Sequence, residues 1–248
     1  MAGHSAWKNI KHKKAANDAK RGKVWSKCSR AIIVAARNGP DPKFNTTLRY
    51  AIDDAKAANM PKDTIEKAIK KGSGGLEGVT YESVRYEGYA AGGVALIIDC
   101  LTDNLNRTAG EMRTIFDKHS GNLGKPGSVA YNFQPRGVIH LETDKVSEDR
   151  LMEVALEAGA DDVSESDGAW QVACEPVDFL KLKDALLAAG LEPASAELTM
   201  VAQTTVACDA AAGARVLKLI DALEDHDDVQ KVYSNADIPD EALAKAGS

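Results

Sequence analysis

Aromatic residues are scarce in this chain of 248 residues, at 5%. Its cores must therefore be built mainly from Ala, Val, Leu and Ile. No apolar run approaches the roughly 18 residues of a membrane helix, and the best candidate, GVALIIDCL (93–101), is broken by Asp99. No apolar stretch follows the N-terminal lysines, so a secretory signal is not expected, and Lys in place of Arg and Ser weakens a mitochondrial one. The four cysteines, at 28, 100, 174 and 208, form no C-x-x-C pair. That argues against a zinc ribbon or redox motif and fits scattered core thiols in a reducing cytosol. There is no G-x-S-x-G and no H-E-x-x-H, and no catalytic set, metal site or cofactor site is expected. The reading is a cytoplasmic protein that is not an enzyme, with no membrane partner and no evident small-molecule substrate. Its oligomeric state is not encoded in any visible pattern.

Positive charge is abundant at one end and outweighed elsewhere. Residues 1–75 hold 17 Lys and Arg against 6 Asp and Glu, a net of +11, and residues 76–248 hold 14 against 31, a net of -17. Such segregation suggests that one end meets a polyanion. The stretch GHSAWKNIKHKKAANDAKRGKVWSK (3–27) contains a single acid, Asp18. Lys8, Lys11, Lys13, Lys14, Lys20, Arg21, Lys23, Lys27 and Arg30 are the candidate nucleic-acid contacts, because neutralising phosphates needs many cations without close acids. Phosphate contacts give affinity but little sequence reading, and no residue stands out as a base reader. Trp7 is open between base stacking and packing. His4 and His12 lack partners at metal-ligand spacing.

Residues 1–72 read as helices. Gly22 is expected to break an arm from a helix on which Trp25, Cys28, Ile32 and Ala35 form an apolar stripe, with Lys20, Lys23, Lys27 and Arg30 as a basic ridge on another face. A second helix is expected to bury Phe44, Leu48, Ala51, Ile52 and Ala55 on one face. A third begins near Pro61, with Asp63 and Glu66 as a candidate capping box and Gly72 as its stop. GSGGLEG (72–78) reads as a flexible linker.

Beyond it the period shifts to strands, at 81–88, 93–102 and 127–133, with a helix over 106–121. From Gly137 the order is β-α-β-β-α-β, the ferredoxin-like pattern. A final β-α-β lacks partners of its own, so the pieces on either side are expected to share one sheet. The fold class is α+β: an N-terminal three-helix bundle plus two sandwich-like α+β domains, one ferredoxin-like and inserted into the other. The expected domains are a basic helical domain (1–76), a discontinuous α+β domain (77–136 and 203–240), an inserted ferredoxin-like domain (137–202) and a tail (241–248).

Three loops invite functional readings. GNLGKPGS (121–128) lacks the helix that a phosphate loop requires, since Lys125 is followed by Pro126 and then a strand. TDNLNRT (102–108) suits helix capping, with Arg107 as a candidate phosphate holder near a helix N-terminus. EDHDD (224–228) looks like a cation cluster and reads better as a solvated loop.

Five stretches in order, AGHSAWKNIKHKKAANDAKRGK, MPKDTIEKAIKKGSGG, YEGYAAGGVALIIDCLTDNLNRT, GNLGKPGSVAYNF and LEDHDDVQKVYSNA, resemble the successive signatures of the YebC/PmpR family. The resemblance spans nearly the whole chain and implies three domains, one formed from separated segments. Members are described as probable DNA-binding transcriptional regulators, and related members, including mitochondrial translational activators, act at the ribosome. The resemblance therefore implies a nucleic-acid-binding regulator of gene expression. The alternative is a ribosome-associated translation factor that contacts ribosomal RNA through the same basic domain. Ala6, Trp25 and YAAGG (89–93) depart from the family's usual Lys, Phe and YGPGG.

Overall fold

The computed structural model describes residues 21–74, 80–166, 168–239 and 241–243. Three helices come first: α1 (Arg21–Ala36), α2 (Thr46–Ala57) and α3 (Lys62–Ser73). They close on an aliphatic core of Ile32, Ala35, Leu48, Ile52, Ala55, Met60, Ile65 and Ala68. Trp25 and Cys28 pack against its edge, as their spacing predicts, and Trp25 Nε1 donates to the Ala58 carbonyl at 3.0 Å.

Four local expectations are corrected. Gly22 lies within the first turn of α1 rather than ahead of the helix. The N-terminal cap of α3 is Pro61, whose ring has no hydrogen-bonding group to offer, so the Asp63–Glu66 capping box does not form. Gly72 is buried inside α3, where a Cβ would come within 2.8 Å of Ala36 Cβ and closer still to the Ile33 carbonyl oxygen. It is glycine because two helices touch there, not because the helix stops. Phe44 precedes α2 and is exposed.

A four-stranded sheet follows, in the order β3-β1-β2-β9. β1 (Glu82–Tyr89), β2 (Ala95–Thr102) and β3 (Asn122–Leu123) precede the ferredoxin-like segment, and β9 (Val229–Ser234) follows it. β9 pairs antiparallel with β2, which joins the separated pieces in one sheet. Helices α4 (Leu105–Lys118) and α7 (Ala210–Glu224) cover one face, where Leu96, Ile98, Met112, Phe116, Val216, Leu219 and Leu223 form the core.

The segment between them carries β4 (Phe133–Glu142), α5 (Glu148–Ala158), β5 (Asp162–Ser166), β6 (Ala169–Cys174), α6 (Phe179–Ala188) and β7 (Ser195–Ala202). Its antiparallel sheet has the order β5-β6-β4-β7, with a core of Ile139, Leu141, Leu151, Val172, Leu182 and Leu186. Short β8 (Val206–Ala207) and β10 (Ala236–Asp237) pair in parallel beside the first sheet. The stretch 127–132 is a turn and a short 3-10 helix rather than a separate strand.

Candidate nucleic-acid interface

Of the nine predicted contact residues, Lys8, Lys11, Lys13, Lys14 and Lys20 lie outside the described residues. Trp7, His4 and His12 do too. Arg21, Lys23, Lys27 and Arg30 stand on the first turns of α1, and the last three meet the other end of the chain. Lys23 Nζ lies 3.1 Å from the Asp225 carboxylate and donates to the Asp225 carbonyl at 3.3 Å. Lys27 Nζ donates to the Glu224 carbonyl. Arg30 Nη1 lies 2.7 Å from Asp228 Oδ1 and donates to the carbonyls of Leu101 and Asp227 at 2.9 and 3.1 Å, while its guanidinium stacks 4.9 Å over Tyr81.

The physical basis is a helix end. α7 finishes at Glu224, so the carbonyls of Glu224 and Asp225 carry the negative end of its dipole. The acidic side chains of the turn add to that charge. The ridge of α1 supplies cations to this end from another part of the fold. Burial pushes the Lys27 ammonium below its ordinary range, against the pull of Glu224, Asp227 and Asp225. EDHDD is therefore more than a solvated loop: Asp225 and Asp227 remain exposed, but its carbonyls and carboxylates hold the basic ridge.

Asp228 is the fixed point of the turn. Its other carboxylate oxygen takes Arg107 Nη2 at 2.7 Å and the Thr108 hydroxyl at 2.8 Å. Burial pushes its carboxyl upward, but the hydrogen bonds from Arg107, Thr108 and Thr102 outweigh that and hold it down at about 2. Arg107 also pairs with Asp103 at 2.8 Å and lies 3.7 Å from Glu111. It is thus taken up by carboxylates rather than presented to a phosphate. Asn104 caps α4, accepting from the Arg107 backbone N–H at 3.0 Å. Glu111, His226 and Asp228 place their ligand-type atoms within 4.8 Å of one another, but the Arg107 guanidinium already supplies a cation there.

The glycine-rich turn 121–128 holds an anion of the protein's own. The Glu87 carboxylate accepts from the backbone N–H groups of Gly127 and Val129, both at 2.7 Å, and of Ala130 at 2.9 Å. Burial raises this carboxyl, and the three N–H bonds more than reverse it, so its pKa is lowered. The nest that would suit a phosphate is filled by a buried side chain.

The bundle is also tied to the ferredoxin-like segment. Arg49 grips Asp184 with both carboxylate oxygens at 2.9–3.0 Å, Lys183 meets Asp53 at 2.7 Å, and the Tyr50 and Phe179 rings lie 6.0 Å apart. Lys231 on β9 lies 3.4 Å from Asp54 of α2 and 3.6 Å from Glu197 of β7, so one ammonium touches all three parts of the fold. A cleft of about 1800 Å³ opens around it, lined by Lys27, Cys28, Asp54, Glu197 and Tyr233 among others. Its lining mixes cations and carboxylates in nearly equal number.

None of the four cysteines is an activated thiol. Burial raises Cys28 and Cys174 to about 11 and Cys100 to about 12, and it raises Cys208 as well. No described helix is long and apolar enough to cross a membrane.

Sequence reasoning missed that the basic ridge has an internal partner. The signal was present: a row of cations near one end and the acidic EDHDD near the other have opposite charge.

Comparison with known proteins places these features in a family. Residues 5–75 match the TACO1/YebC protein N-terminal domain, and residues 81–236 match the TACO1/YebC second and third domain. A protein of Hahella chejuensis named "Probable transcriptional regulatory protein" is 55% identical over 248 residues, covering 100% of both chains. A similarly named protein of Methylococcus capsulatus is 56% identical over 249 residues, again covering 100% of both. The crystal structure of a conserved hypothetical protein of Aquifex aeolicus superposes with a TM-score of 0.81 at 48% identity, covering 93% of this chain and 96% of that one.

Proposed function

Because this chain belongs to the TACO1/YebC family, we propose that it is a nucleic-acid-binding regulator of gene expression, of the kind its relatives' names describe, acting in the cytoplasm without catalysis. The observation that carries this reading is the segregation of charge, +11 over residues 1–75 and -17 over the rest. The residues proposed to grip phosphate are Lys8, Lys11, Lys13, Lys14, Lys20 and Arg21, joined by Lys23, Lys27 and Arg30. The last three are held by the acidic turn at the end of α7, so phosphate must compete with that turn for them. Such competition favours a dense polyanion over scattered surface acids, since each neutralised phosphate also releases a counterion.

Binding to RNA within a ribosome is the second reading, favoured by the acidic body. A net of -17 beyond the helical part repels a long bare duplex, whereas a protein-rich RNA site accommodates it. The two readings part on one experiment: crosslinking in cells, with bound DNA and RNA sequenced side by side. Promoter footprints that survive moderate salt support transcriptional control and exclude the ribosomal reading. Ribosomal RNA peaks without promoter enrichment do the reverse.

A further inference from the structure

Phe44 stands in the turn between α1 and α2 and is 90% exposed. The apolar spacing that includes Leu48, Ile52 and Ala55 would place it in the core, and those three residues are buried. Phe44 is not, because the helix begins after it, at the Asn45 cap. The turn is well braced. Asn45 is itself buried, its Nδ2 donates to the carbonyls of Ala35 and Gly39, both at 2.8 Å, and its Oδ1 accepts from Leu48 N at 3.0 Å. Phe44 N donates to the Asp41 carbonyl at 3.1 Å, and Lys43 N donates to Asp41 Oδ1 at 2.9 Å. A ring held in water by a braced turn forgoes the hydrophobic gain of burial, and among the described residues no packing requirement of the bundle accounts for it.

The second observation is charge. The close approach of Gly72 to Ile33 and Ala36 sets the last turn of α3 beside the end of α1 from which this turn emerges. Lys67, Lys70 and Lys71 of α3 are exposed and share one face, at i, i+3 and i+4. Among the described residues neither they nor Lys43 forms an ion pair, in contrast to Lys23 and Arg30 at the other end of α1. Lysines in a last turn suit the helix dipole, but a dipole asks for no exposed aromatic.

We propose that this end of the helical bundle binds an unpaired stretch of RNA, with Phe44 stacked on a splayed base and Lys43, Lys70 and Lys71 on the flanking phosphates. A duplex hides its base faces, whereas loops and bulges offer them, and an aromatic flanked by cations is the chemistry that takes them up. The inference rests on the nucleic-acid reading above and adds where a single strand is held.

The test is fluorescence anisotropy on the full chain, with a labelled oligouridylate, an oligothymidylate and a blunt RNA duplex of equal length. Phe44→Ala should weaken binding of the oligouridylate by about 5- to 150-fold, the worth of one stacked base, and leave duplex binding unchanged. Phe44→Trp should restore it. Lys70→Gln with Lys71→Gln should flatten the salt dependence of oligouridylate binding. Wild-type affinity in Phe44→Ala overturns the site while leaving the nucleic-acid reading intact, and so does an equal loss on the duplex. Tighter binding of oligothymidylate than of oligouridylate overturns the assignment to RNA. Failure of the wild-type chain to bind any of the three overturns both.

Discussion

Arg30 Nη1 stands 2.7 Å from Asp228 Oδ1, and through this pair the basic helix at one end of the chain rests on the acidic turn at the other. Asp228 also holds Arg107 and Thr108, through its other carboxylate oxygen. Arg30 keeps three further contacts, to the carbonyls of Leu101 and Asp227 and to Tyr81. Beside it, the Lys23–Asp225 pair is about half exposed on both sides. Among the described residues the clusters of the bundle and of the first sheet have no member in common. The contact is polar, graded in strength and open to competition by other anions.

Reversing charge at the weakest point should loosen it. Asp225→Lys places a cation against Lys23 and Lys27 and should raise affinity for a nucleic-acid probe by up to about fivefold, the scale of an exposed ion pair. Titration by anisotropy at rising salt checks this. The advantage over wild type should shrink as salt screens both proteins.

Lys231 joins three parts of the fold through Asp54 and Glu197. Replacing it by Met should lower stability by about 1–3 kcal/mol, between the cost of an exposed and a buried pair. Denaturant unfolding measures the loss. A double-mutant cycle of Lys231→Met with Asp54→Asn should return a coupling well above measurement error.

His140 carries a pH signature. Burial lowers it from 6.5 to about 4, with the Gln171 hydrogen bond only partly opposing. Its folded value lies below the unfolded one, so the stabilisation is complete above about pH 6.5 and drains away as pH falls toward about 4. Asp228, down at about 2, gives up its share only in stronger acid. Melting temperatures at neutral pH and at about pH 4.5 should therefore differ less in His140→Gln than in wild type.

Gly72→Ala inverts the usual helix rule. In an open helix the change gains up to about 1 kcal/mol. Here the new methyl meets Ala36 and the Ile33 carbonyl, and overpacking of about 1–3 kcal/mol should dominate. A lowered thermal midpoint checks the sign, with a control Gly110→Ala, where nothing stands within 4 Å of the new Cβ.

Much of this protein follows from periodicity and charge alone. The 3.6-residue spacing of Ile32, Ala35, Leu48 and Ile52 determined the bundle. The alternation of helix and strand after residue 137 determined the ferredoxin-like order, because short-range pattern selects the element and the element order limits the sheet. The family was legible in five ordered stretches. Other features depended on distance in space. Gly72 looked like a stop until Ile33 and Ala36 were seen against it. Phe44 looked like core until the Asn45 cap moved the helix start past it. The glycine turn at 121–128 failed as a phosphate loop on sequence grounds, but nothing in the sequence said that Glu87, some forty residues earlier, fills it. Lys23, Lys27 and Arg30 looked like a free ridge, because a sequence counts charges and does not say which meet. The pairing of α1 with the end of α7 spans about two hundred residues, and it depends on the tertiary fold, in which β9 pairs with β2 and returns the end of the chain to the first sheet.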